Sequence, residues 1–263
     1  MSQIKRIFKQ EKKVIIPYIT FGDPSPEFTL NCASALFEAG ADIIELGIPF
    51  SDPIADGPVI QASHQRALLE AKNVSIEKAL ECVRQLKSEF PHKAIAFMLA
   101  TNLVMHRGVE RFFEEAGSSQ LDGVIIPDLS FEMSDHYQDL AEKNKVDLVQ
   151  LLSPLCTELR LEKIAKAARG FVYLISSTGI TGERQQFSDA LEAICHKIKQ
   201  HADIPVAIGF GVSTEKQVKD MTLYADAVII GSHLVQIIAD HLDNPDKAIL
   251  QMSERIRLFK LAC

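Results

Sequence analysis

A chain of 263 residues, 47% of them apolar, can bury one barrel-sized core or two ordinary ones. Its formal charge of −7 argues against a nucleic-acid surface or an anionic membrane as partner. No run approaches the roughly 20 apolar residues of a membrane span, and the basic start is not followed by the unbroken apolar run of a signal peptide.

In chain order, the first segment, "IKRIFKQEKK", carries Ile4, Ile7 and Phe8 at helical spacing, which predicts a short amphipathic helix packed on the domain. Eight short apolar runs follow: "VIIPYIT" (14–20), "DIIELGI" (42–48), "AIAFMLA" (94–100), "GVIIPDL" (123–129), "DLVQLLS" (147–153), "FVYLIS" (171–176), "IPVAIGF" (204–210) and "AVIIGS" (227–232). Most are nearly continuous in Val, Ile and Leu, as strands of a parallel sheet buried on both faces are. Segments of helical period lie between them, among them "PEFTLNCASALFEAG", "SIEKALECVRQLKSEF" and "TELRLEKIAKAARG". Several open with Ser or Thr and close near Gly, as capped helices do.

Strand then helix, eight times over, predicts a (β/α)8 barrel of the α/β class with an extra N-terminal helix. No linker or composition shift divides residues 1–263, so a single barrel domain is expected. Two connections are long, "PFSDPIADGPVIQASHQRALLEA" after strand 2 and "STGITGERQQF" (177–187) after strand 6. Both follow C-terminal strand ends, where barrel enzymes place their sites, and the second reads as a lid.

Several chemistries lack their residues. No Lys lies within the strands or at their C-terminal ends to form a Schiff base. The eight His are scattered without a ligand pair, and His233 after strand 8 is the best placed of them, so no metal site is expected. Five widely spaced cysteines without a C-x-x-C pair read as free thiols of a cytoplasmic protein.

Carboxylates and glycines remain. Glu45 stands inside the apolar run "DIIELGI", where an unpaired carboxylate would be forced towards its protonated form. Such a group can serve as general acid and then as general base near neutral pH. A buried salt bridge is the competing explanation, but no cation lies within the strands. Eleven residues on, Asp56 follows in a Pro- and Gly-containing loop over the same mouth, and Asp52 competes with it at a spacing that does not choose. "AIGFGVS" (207–213) and "IIGSH" (229–233) end strands 7 and 8 with glycines ahead of helical segments, the place where many barrels bind phosphate. "GITG" (179–182) could close the same pocket. The residues therefore point to a phosphorylated small substrate handled by one or two carboxylates.

"ELGIPFSDPIADGPVIQ" (45–61), with "TFGDP" (20–24), "PDLSFEMS" (127–134), "YLISSTGITG" (173–182) and "GFGVS" (209–213), closely resembles the tryptophan synthase alpha chain, in order over essentially the whole sequence. The resemblance implies a carbon–carbon lyase that splits indole-3-glycerol phosphate into indole and glyceraldehyde 3-phosphate. It implies Glu45 as the acid/base and Asp56 as the partner of the indole N–H. Gly182, Gly211, Gly231 and Ser232 match the family's phosphate positions. Tyr18, Phe210 and Ile229 match its indole-pocket wall, and Tyr173 and Thr181 match positions close to Glu45 and Asp56. It also implies a beta-chain partner in an alpha2beta2 heterotetramer, to which indole passes through a tunnel. Pyridoxal phosphate is then expected in that partner and no cofactor in this chain. Ala100 departs from the family, which usually has an aromatic there, as does Ser130 where Pro is frequent. Sister phosphate-binding barrels would share the strand 7 and 8 loops, and an indole-glycerol phosphate synthase would show a strand-end Lys. A purely allosteric role is opposed by an intact Glu45 and Asp56.

Overall fold

The computed structural model describes residues 1–70, 74–175, 184–209 and 211–263. Eight parallel strands close into one barrel in sequence order: β1 Val14–Thr20, β2 Ile43–Gly47, β3 Ala94–Met98, β4 Gly123–Ile125, β5 Asp147–Leu152, β6 Val172–Ile175, β7 Val206–Gly209 and β8 Ala227–Ile230. The seam between β1 and β8 pairs Val14 with Ala227 and Ile16 with Ile229.

The apolar runs serve two cores because side chains alternate across a strand. Ile15 and Ile19 of β1, Ile44 and Leu46 of β2 and Ile95 and Phe97 of β3 pack outward with the helices. Val14, Ile16, Ile43, Ala94, Ala96 and Ala207 pack inward. The small inward residues leave space that the first helix, α1 Gln3–Gln10, fills from below. A Cβ on Gly123 would stand 2.8 Å from Ile4 Cδ1, so the bare glycine lets Ile4 enter the barrel floor. Phe8 meets Phe171 with ring centroids 6.0 Å apart, and Phe171 meets Tyr173 at 6.5 Å. The expected N-terminal helix is thus a plug.

Three carboxylates fasten the lower rim by one repeated device. Asp42 Oδ2, just before β2, accepts the Ile15 N–H of β1 at 2.9 Å and the Lys260 ammonium at 2.7 Å. Asp122 Oδ2, before β4, accepts the Ile95 N–H at 2.9 Å and Lys87 at 3.0 Å. Asp226, before β8, takes the Val206 N–H at 2.9 Å and Lys199 at 2.8 Å.

The outer layer is helical. Between β1 and β2 runs α2 Pro26–Glu38, opened by Ser25, whose hydroxyl accepts the Phe28 N–H at 3.1 Å, and by Pro26 in its first turn. Two helices follow β2, α3 Pro58–Glu70 and α4 Ile76–Glu89. The long connection after strand 2 is therefore a short loop ahead of a helix that buries one narrow face. Two more, α5 Thr101–Arg107 and α6 Val109–Ser118, follow β3. Then come α7 Asp135–Lys143, α8 Glu158–Ala167, α9 Arg184–His201, α10 Glu215–Met221, α11 Ser232–Ala239 and α12 Pro245–Ala262. Several strands stop short of the apolar run that predicted them; β4 ends at Ile125, two residues before Pro127, which has no N–H to give a ladder. The start of "STGITGERQQF", residues 177–183, lies outside the described residues, and its end is the first turn of α9.

Candidate active site

Glu45 sits mid-strand in β2, opposite Tyr18 of β1 and Ala96 of β3 in register. It belongs to the inward-facing series and is 1% exposed, above the apolar floor. Among the described residues neither of its carboxylate oxygens has a hydrogen-bond partner. Burial pushes its carboxyl up to about 8, with the Asp56 charge adding to the shift.

Two tyrosines frame it. Tyr18 and Tyr173 rise from β1 and β6, the first buried and the second half-buried, and each crosses a glycine on a neighbouring strand. A Cβ on Gly47 would lie 2.0 Å from Tyr18 Oη, and one on Gly209 would lie 2.4 Å from Tyr173 Oη. Those strand glycines exist to let phenol rings pass. Burial raises both hydroxyls well above the ordinary tyrosine range, so they stay protonated.

The loop after β2 supplies the second acid. Its turn is held by the Asp56 N–H to Pro53 carbonyl bond at 3.2 Å and by Gln61 Nε2 donating to the Asp56 carbonyl at 2.8 Å. The Asp56 side chain is 13% exposed, and burial raises it to about 6. Asp52 is exposed and takes the Ser51 hydroxyl at 2.6 Å. Of the two loop acids, Asp56 shares a cavity with Glu45.

That cavity, about 600 Å³, opens at the C-terminal ends of the strands. Tyr18, Tyr173, Gly211, Ile229, Gly231 and Ser232 all line it. Gly231 is the N-cap of α11, so backbone N–H groups of that helix's first turn lack intrahelical acceptors on the cavity side. Gly211 has φ +57°, the left-handed region that glycine adopts without strain. Thr181, Gly182 and Phe210 lie outside the described residues. Ala100 lines a smaller adjoining cavity of about 40 Å³ that shares Tyr18, Asp56 and Met98 with the first. Ser130 is exposed nearby. The His233 ring lies against Phe259 of α12, 6.3 Å between centroids.

Sequence reasoning missed one partner. His64 of α3 is 5% exposed, with its Nε2 3.1 Å from Tyr18 Oη and 3.7 Å from Asp56 Oδ2. A signal was present: Ser63, His64 and Ala67 form the buried stripe of α3, where an apolar set is the rule. Among the described residues no three His, Cys, Asp or Glu side chains gather as a metal site. An acid with no cation, a second acid on a loop, and glycine turns at one mouth suit proton transfer to and from a phosphorylated substrate.

Comparison with known proteins gives the family. A family model described as "Tryptophan synthase alpha chain" matches residues 4–263. The chain is 42% identical over 258 residues to the tryptophan synthase alpha chain of Lacticaseibacillus casei, covering 98% of this chain and 95% of that one. To the alpha chain of Halalkalibacterium halodurans it is 39% identical over 250 residues, covering 94% and 93%. Among solved structures, tryptophan synthase subunit alpha from Legionella pneumophila superposes with a TM-score of 0.90 at 29% identity, covering 100% of this chain and 98% of that one. A chain of tryptophan synthase from M. tuberculosis, in its aminoacrylate-bound form, gives 0.86 at 28% identity, covering 98% and 100%.

Proposed function

The chain belongs to the tryptophan synthase alpha chain family, whose reaction is cleavage of indole-3-glycerol phosphate to indole and glyceraldehyde 3-phosphate, and we propose that Glu45 and Asp56 carry that reaction here as a carbon–carbon lyase. The observation that carries this reading is a buried Glu45 whose oxygens find no partner among the described residues, sharing one cavity with Asp56.

At neutral pH Glu45 holds a proton, because its carboxyl is raised to about 8. It donates that proton to the indole carbon bearing the glycerol side chain, which places positive charge on the ring nitrogen. Asp56, ionised above about 6, stabilises that charge and accepts the N–H. The Glu45 carboxylate then removes the proton of the hydroxyl on the adjacent side-chain carbon. The carbon–carbon bond breaks, its electron pair returns to the ring as indole forms, and the hydroxyl carbon becomes the aldehyde. Glu45 ends protonated, so the cycle closes on one residue. Glu45 stands on a rigid strand, as a group that moves two protons within one turnover must, while Asp56 comes on a loop. Tyr18 and Ile229 wall the indole, the family resemblance adds Phe210 to that wall, and Tyr173 stands close to Glu45. Gly211, Gly231 and Ser232 hold the phosphate by backbone and hydroxyl donors, and the family resemblance adds Gly182 to the phosphate positions and Thr181 to the surroundings of Asp56.

The partner is a beta chain, in an alpha2beta2 assembly that carries the pyridoxal phosphate, with no cofactor in this chain. Support comes from the mouth side of β2 to β5, where Ile54, Met105, Met133, Leu155 and Leu159 are 63–87% exposed. Large apolar side chains grouped at one rim mark a protein-binding face. Free cysteines accord with a cytoplasmic setting, and no helix among the described residues is long and apolar enough to cross a membrane.

The deciding experiment is indole release from indole-3-glycerol phosphate by the wild type and Glu45→Gln, each with beta chain added. Release by the first and a loss of roughly 10²–10⁴-fold in the second is expected. Equal release by both would make Glu45 a structural acid.

A further inference from the structure

His64 occupies a hydrogen-bond chain whose direction is fixed from both ends. At one end the Phe50 backbone N–H donates to His64 Nδ1 at 3.1 Å. An N–H can only donate, so Nδ1 is bare and the ring proton of the neutral imidazole sits on Nε2. At the other end Ser63 Oγ donates to the Ile60 carbonyl at 2.7 Å, using its single hydrogen. The 2.6 Å bond between Thr20 and Ser63 therefore has Thr20 as donor, and the 3.4 Å bond between Tyr18 and Thr20 has Tyr18 as donor. Tyr18 Oη is left as an acceptor, and it takes the His64 Nε2–H at 3.1 Å. Every hydrogen in the chain has one place to be.

That N–H faces a second acceptor, Asp56 Oδ2, at 3.7 Å. We propose that His64 is the positioning residue for Asp56, its Nε2–H presented jointly to the Tyr18 hydroxyl oxygen and the Asp56 carboxylate. A short swing of the carboxylate brings it within hydrogen-bond reach, and active-site bonds that are long without substrate commonly tighten when it binds. The donor breaks the symmetry of the two acids. Asp56 has an N–H that favours its anion, and Glu45 has none among the described residues, so the proton they compete for rests on Glu45. Burial helps by lowering His64 to about 4, which keeps the ring a neutral donor at working pH and adds no cation that would ionise Glu45 as well.

Among the described residues, the other titratable groups lining the two cavities are Glu45 on β2, Tyr173 on β6, His233 on α11, and Asp52 and Asp128 across the adjoining cavity. Asp23 after β1 is engaged by Arg66 of α3 at 2.7 and 2.9 Å, which ties that cation elsewhere.

The inference rests on the proposed role of Asp56, and two experiments separate its failure from failure of that role. In the intact wild-type chain, ring ¹⁵N NMR of His64 at pH 7 is expected to show a bare Nδ1 and a protonated Nε2. The opposite tautomer, or an imidazolium, overturns the proposal whether or not the chain cleaves substrate. The second is the pH profile of kcat and KM for indole release by wild type, His64→Ala and His64→Gln, with ¹³C titration of the Asp56 carboxyl in each. His64→Ala should lower kcat about tenfold and move the acid limb, with the Asp56 titration, upward by at least half a unit. His64→Gln, whose amide can donate from nearly the same place, should return both towards wild type. A change in KM or amplitude alone, with the limb and the carboxyl titration unmoved in His64→Ala, makes His64 a packing residue and sinks the proposal.

Discussion

The barrel treats its acids in two opposite ways. At the lower rim Asp42, Asp122 and Asp226 each receive a backbone N–H from the neighbouring strand and a lysine ammonium, all within 3.0 Å. At the mouth neither Glu45 nor Asp56 is paired with a lysine or arginine among the described residues, although the first is buried and the second half-buried. The lower acids are held in fixed geometry and spend their hydrogen bonds on strand register. At the upper pair burial raises both carboxyls, Glu45 to about 8 and Asp56 to about 6. Residue type does not separate the two groups; the presence of a cation and an N–H does.

Substitutions can break this contrast. The largest effect is expected from Glu45→Gln, which should remove nearly all cleavage while leaving the fold intact, as circular dichroism and indole release together would show. Next comes Asp122→Ala, which strands the buried Lys87 and orphans the Ile95 N–H. It should cost about 3–5 kcal/mol in denaturant unfolding while kcat per folded molecule is kept. A fall in kcat at unchanged stability would show that the two rims are not separate.

A third expectation concerns pH. The folded chain raises Glu45 from 4.5 to about 8, so between those values it binds a proton that the unfolded chain releases. The contribution is in full force below about pH 4.5 and is lost as pH rises through 8, so this residue makes stability fall with pH across the window, by an amount on the order of a few kcal/mol. Glu45→Gln should flatten that slope and be the more stable chain at pH 8, measured by urea titration at several pH values. The smallest effect is expected from Asp52→Asn in the isolated chain. Asp52 is exposed and, among the described residues, its side chain bonds the neighbouring Ser51 hydroxyl, so stability should move by less than about 0.5 kcal/mol and indole release hardly at all. A loss comparable to that of Asp56→Asn would put Asp52 back into the chemistry.

Much of this was legible in the sequence. Runs of Val, Ile and Leu separated by helical periods are the direct image of strands buried on both faces, so the eight strands could be placed. Glu45 stood out because an acid in such a run has no inexpensive position. What was illegible depended on contacts between distant segments. Nothing local marks Asp56 over Asp52, since which acid turns inward is decided by the loop's hydrogen bonds to Pro53 and Gln61. His64 lay in a helix whose inner face could be known only once α3 was seen against β1. The lysines of the lower rim come from α4, α9 and α12, 27 to 218 residues from their partners.

The plug made by α1 has a consequence for traffic. With Ile4, Ile7 and Phe8 packed in the floor, the described residues close the lower end of the barrel, so a small aromatic product of the proposed reaction would leave on the mouth side. Arrival and departure would then share one side of the barrel. Whatever protein sits over that doorway decides whether the product reaches bulk water or a second catalyst, and it gains that control without altering a single residue in the barrel.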